Sequence, residues 1–124
     1  MPIPDVALPR PLREEERAVL DLLLEADFPG AEALRAQART VIVTRGCTCP
    51  CPSIAFEVEA GAPPGISTSS GLAPVEGRVR DGQGDSPGEI IVFLERGFLS
   101  YLEYVYYGDA PPTWPPVHQI DVVT

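Results

Sequence analysis

Apolar residues recur with a helical period early in the chain. Val19, Leu22, Leu23 and Ala26 fall at i, i+3, i+4 and i+7, and Leu20 and Leu24 widen the stripe, so Leu12 to Asp27 is predicted to be an amphipathic helix. Glu14, Glu15 and Glu16 fall in its first turn, where carboxylates favour the positive end of the helix dipole. Asp27-Phe28-Pro29-Gly30 breaks the pattern, and a second helix is expected from about Pro29 to Arg39, with Ala31, Leu34 and Ala38 as a thin apolar face and Glu32 pairing with Arg35 on the solvent side.

Beyond Thr40 the period becomes two. Thr40 to Arg45 is β-branched, and Ser53 to Glu59 alternates Ile54, Phe56 and Val58 with Glu57 and Glu59. Val75, Gly77 and Val79 alternate with Glu76, Arg78 and Arg80. Glu89 to Glu95 and Phe98 to Tyr107 flank Arg96-Gly97, a hairpin signal, and carry apolar residues on both faces, as central strands do. Ile120, Val122 and Val123 suit a short final strand. Residues 1–11, with four prolines, read as an extended lead-in; residues 60–74, rich in Gly, Pro and Ser, as a long exposed loop. In residues 109–124, a Pro-rich tail, the stretch 109–116 should follow an extended path over the surface.

These elements make one α+β domain of 124 residues: two N-terminal helices packed on a four- to five-stranded, mainly antiparallel sheet. Its 18 acidic residues outnumber nine basic ones, all of them Arg, and the net charge of −9 is spread along the chain. Without clustered cations there is no means of displacing counterions from a polyanion, so nucleic acid and anionic membrane are not expected partners, whereas a basic protein is. No apolar run is long enough for a membrane span, and Pro residues and charges interrupt the N-terminus, so a cytoplasmic location is expected. The absence of Lys and Asn beside abundant Ala, Pro, Gly and Arg reflects GC-rich coding, often bacterial.

Two groups of residues are candidates for chemistry. Cys47, Cys49 and Cys51 form a C-x-C-x-C run, and thiolates are ligands for zinc or copper, with His118 as the available fourth ligand. The same cysteines also suit packing as small apolar residues beneath a turn stiffened by Pro50 and Pro52, or a redox role. Packing is preferred, because the spacing is tighter than in zinc knuckles and no second cysteine pair closes the site, so no cofactor is assigned. Tyr101, Tyr104, Tyr106 and Trp114 gather aromatic surface near the C-terminus, a composition enriched at protein interfaces. On a strand, Tyr104 and Tyr106 share one face and Tyr101 and Tyr107 the other.

The segments ERAVLDLLLEADFPGAEALRAQA (residues 16–38), GCTCPCPSIAFEVE (46–59) and FLERGFLSYLEYVYYGDAPP (93–112) resemble those of a group of small bacterial proteins of similar length, a group with no established activity. The last segment, with its turn glycine followed by L-x-x-LE-x, is also similar to the closing hairpin of small bacterial immunity proteins, which neutralise toxins by binding them. That resemblance implies a non-enzymatic inhibitor and transfers no functional residues. The expected function is therefore a protein-binding module, with metal binding through the cysteine cluster as the alternative.

Overall fold

The computed structural model describes residues 8–46, 52–59, 61–64, 71–80, 88–107 and 113–124. Within them lie β1 (Arg10–Pro11), α1 (Glu14–Leu24), α2 (Ala31–Ala38), β2 (Ile42–Gly46), β3 (Ile54–Glu57), β4 (Gly71–Val79), β5 (Gly88–Glu95), β6 (Phe98–Tyr106), a short 3-10 turn (Val117–Gln119) and β7 (Ile120–Val123). The fold is α+β, as expected, with both helices preceding most of the sheet.

α1 is shorter than its apolar pattern suggested. Arg13 is extended, and the Glu16 carboxylate accepts its backbone N–H at 2.7 Å, which fixes the start. The same carboxylate meets the Arg10 guanidinium at 2.8 and 2.9 Å, both side chains being buried, so the pair ties β1 to the first turn of the helix. Its buried stripe is Glu16, Val19, Leu20, Leu23 and Leu24; Leu22 lies half-buried at the flank. Arg35 does not turn outward to Glu32. Its guanidinium donates to the carbonyls of Leu24 at 2.6 Å and Ala26 at 3.1 Å, covering the C-terminal end of α1, which has no basic residue in its own last turn. α2 buries Ala31, Leu34 and Ala38 as expected, together with Gln37.

Among the described residues the sheet has seven strands in the order β1-β2-β3-β6-β5-β4-β7, every neighbouring pair antiparallel, which corrects the expected four or five. Sequence periodicity does not show β1, in the lead-in, whereas β7 falls on the short final strand expected at Ile120 to Val123. In the lead-in, Arg10 lies opposite Val43 and Pro11 opposite Ile42; in the tail, Ile120 to Val123 lie along Val79 to Glu76. β4 also begins at Gly71, so the last residues of the expected 60–74 loop are strand. Both strands of the β5–β6 hairpin are internal, in agreement with their apolar character on both faces. Arg96 and Gly97 both take positive φ, 53° and 84°, the handedness a two-residue hairpin turn requires.

One face of the sheet packs on the helices. Val43, Ile54, Phe56, Val75, Val79, Ile90, Val92, Leu94, Leu99 and Leu102 join Leu20, Leu23, Leu24 and Leu34 in a single apolar core. Strict alternation fails in β6, where Leu99 and Leu102 both point inward. Leu94 lies opposite Leu99 and Phe93 opposite Tyr101, so Ser100 is an extra residue, a bulge that reverses the parity between them.

Candidate functional site

The four expected aromatic residues divide between the two faces. Tyr104 lies on the helix-covered face and stacks on Trp114, with ring centroids 5.7 Å apart and planes 16° apart; Tyr106 meets Tyr104 edge-on at 5.9 Å. Trp114, only 5% exposed, belongs to the core, so the surface path expected for 109–116 does not hold at this position; residues 109–112 of that stretch lie outside the described residues. The Tyr104 ring crosses Gly88, where a Cβ would fall 2.4 Å from the Val105 carbonyl oxygen and 2.7 Å from the ring, so only glycine fits there. Burial raises the phenol pKa of Tyr104 above its ordinary value. Among the described residues the buried Trp114 indole N–H has no hydrogen-bond partner.

Tyr101 faces the other way. It packs edge-on against Phe93 with ring centroids 6.1 Å apart, on the face opposite the helices. Strand register places a row of side chains across that face: Leu72 opposite Phe93, Phe93 opposite Tyr101, Tyr101 opposite Ala55, and Ala55 opposite Arg45. The next row sets Glu103 opposite Ile91, Ile91 opposite Glu76 and Glu76 opposite Val123; a third sets Val105 opposite Glu89, Glu89 opposite Arg78 and Arg78 opposite Asp121. Leu72 is 64% exposed. The open face is therefore an aromatic and aliphatic band beside a field of carboxylates, relieved by Arg45 and Arg78. Arg78 approaches Glu76 at 3.9 Å, while Arg80 holds Asp121 at 2.8 Å.

Sequence periodicity foresaw that Tyr101 and Tyr104 lie on opposite faces. It missed Phe93 and Leu72, because their partnership with Tyr101 depends on which strands are neighbours. It also missed Gln37, a polar residue on the inner side of α2. The Gln37 side chain is fully buried, donates to the carbonyls of Pro63 at 2.8 Å and Gly97 at 2.9 Å, and accepts the Leu99 backbone N–H at 2.8 Å. It thereby locks the β5–β6 turn and residues 61–64 to the second helix.

Of the expected metal ligands, His118 is exposed in the 3-10 turn, where its backbone carbonyl accepts from Arg80 at 3.2 Å. Cys47, Cys49 and Cys51 lie outside the described residues. Among the described residues no three His, Cys, Asp or Glu side chains converge as a metal site, and no helix is long and apolar enough to cross a membrane. Comparison with protein-family models, curated proteins and solved structures gives no match to this chain.

Proposed function

We propose that this domain is a non-enzymatic protein-binding module, an inhibitor of the immunity type, whose open sheet face meets a basic partner protein. The observation that carries the reading is the band of Leu72, Phe93 and Tyr101 beside the carboxylates of Glu76, Glu89 and Glu103. Aromatic and aliphatic side chains supply the area that a partner desolvates, and tyrosine is enriched among the residues that dominate binding energy. The surrounding negative charge speeds encounter with a positive surface and rejects polyanions. Tyr104 and Trp114 support the face from beneath as part of the core, leaving Tyr101 as the aromatic anchor.

The test is to co-express the chain with the product of an adjacent toxin-like reading frame and to measure their association by surface plasmon resonance at several salt concentrations. Association should slow as salt rises, and Tyr101→Ala with Phe93→Ala should weaken binding by about 2 kcal/mol or more while the circular dichroism spectrum is retained. Binding unchanged in the folded double variant would refute the open face as the interface.

A further inference from the structure

The ladder between β3 and β6 is short. The strands pair at Ile54 with Leu102 and at Ala55 with Tyr101, and beyond those positions Phe56 to Glu59 part from Phe98 to Ser100. Two features hold them apart. The bulge at Ser100 bends β6, and the Leu99 N–H, which does not turn to a strand partner, is taken by the buried Gln37 side chain. The result is a cleft of about 360 Å³ that opens beside the sheet face described above. Its interior is apolar, formed by Phe56, Phe98 and Leu99; its mouth carries Glu57, Glu59 and Glu95.

We propose that this cleft receives a single arginine side chain from the basic partner protein, its stem lying against Phe98 and its guanidinium among the three carboxylates. The inference rests on the binding reading above and names the feature of the partner that the face selects. The volume lies at the small end of the roughly 300–1,000 Å³ typical of ligand pockets, which suits one side chain better than an extended cofactor. Charge supplies the sign of the occupant: among the described residues that line the cleft, three carboxylates stand against one cation, Arg96. Geometry supplies its shape. These carboxylates do not converge as a metal site, so a compact cation is not matched, whereas a planar guanidinium offers five donors spread in a fork and can bond to separated oxygens. An apolar, aromatic-lined interior favours the weakly hydrated guanidinium over the strongly hydrated lysine ammonium.

The experiment titrates the full chain, labelled with nitrogen-15, with acetyl-Gly-Arg-Gly-amide and follows backbone amide shifts. Parallel titrations use the lysine peptide and the citrulline peptide, which keeps the shape of arginine without its charge. The arginine peptide should produce saturable shifts confined to residues 56–59 and 95–100, the lysine peptide should bind several-fold more weakly, and the citrulline peptide should leave the spectrum unchanged. The Glu57→Gln/Glu59→Gln/Glu95→Gln variant should weaken arginine-peptide binding by about tenfold or more, since it removes three charge-assisted bonds. Glu15→Gln, exposed in the first turn of α1 and outside both the sheet face and the cleft, should bind as the unmodified chain does. Equal binding of citrulline, undiminished binding by the triple variant, shifts centred elsewhere, or no saturable shift would each overturn the proposal. The two readings fail separately. Loss of protein binding in the Tyr101→Ala/Phe93→Ala variant, with no effect of the triple variant, would leave the interface standing and remove the arginine cleft. Peptide binding in the cleft, with no basic protein bound at the face, would do the reverse.

Discussion

Gln37 offers the sharpest test of how the helices are coupled to the hairpin. Replacing it by methionine keeps an unbranched side chain of similar length and removes all three of its hydrogen bonds. The bonds to Leu99 and Gly97 are buried, and each backbone group left without a partner costs about 1–3 kcal/mol; the partly buried Pro63 carbonyl adds about 1 kcal/mol. Burying a thioether in place of an amide returns about 1.5–3 kcal/mol of transfer free energy. Taken at the middle of these ranges, the net expectation is a loss of about 2–3 kcal/mol, which lowers the melting temperature by about 10 °C in a domain of this size. Urea unfolding followed by circular dichroism should show a lower midpoint with an unchanged slope. Gln37→Glu separates hydrogen bonding from packing. A carboxylate still accepts the Leu99 N–H but faces the Gly97 and Pro63 carbonyls without a proton to donate, so burial and repulsion raise its pKa in the folded protein above its unfolded value. The folded state then holds the proton more tightly, and the variant is most stable below about pH 4, losing stability as pH rises through the raised value. A Gln37→Met protein within about 0.5 kcal/mol of the unmodified one would refute the argument, because surface-like tolerance is incompatible with orphaned buried backbone groups.

The buried Arg10–Glu16 pair should behave asymmetrically: Glu16→Ala alone should cost about 3–5 kcal/mol by removing the counter-charge of a buried guanidinium, whereas Arg10→Met with Glu16→Leu should recover most of that loss, as equilibrium denaturation can show. Tyr104 should titrate above the usual phenol value near 10 in an ultraviolet absorbance titration, and Tyr104→Phe should remove that late component. Because the folded state keeps the Tyr104 proton after the unfolded chain has released it, stability should fall as pH rises above about 10, and this part of the alkaline destabilisation should be absent from Tyr104→Phe.

Local periodicity determined the α+β class, the two helices, six of the strands and the β5–β6 hairpin, because each depends on which residues must face a core within a short stretch of chain. It also placed Tyr101 and Tyr104 on opposite faces, a consequence of strand geometry alone. Four features needed the tertiary structure. Arg10–Pro11 is strand only because Val43 and Ile42 lie beside it, two residues being too few to show a period. Glu16 reads as one more charge in an acidic first turn, and its burial depends on Arg10 reaching it from β1. Trp114 sits among prolines that favour an extended surface path, yet stacking on Tyr104 draws it into the core. The insertion of β6 between β3 and β5 joins residues about fifty positions apart, and that order creates both the Leu72–Phe93–Tyr101 band and the cleft beside Phe98. Composition decided the sign of the surface, since charge sums without regard to fold. Which carboxylates stand beside which aromatic rings was decided by strand order and by register shifts in β2, β4 and β6, because register is set by packing between distant segments and leaves no period in the chain.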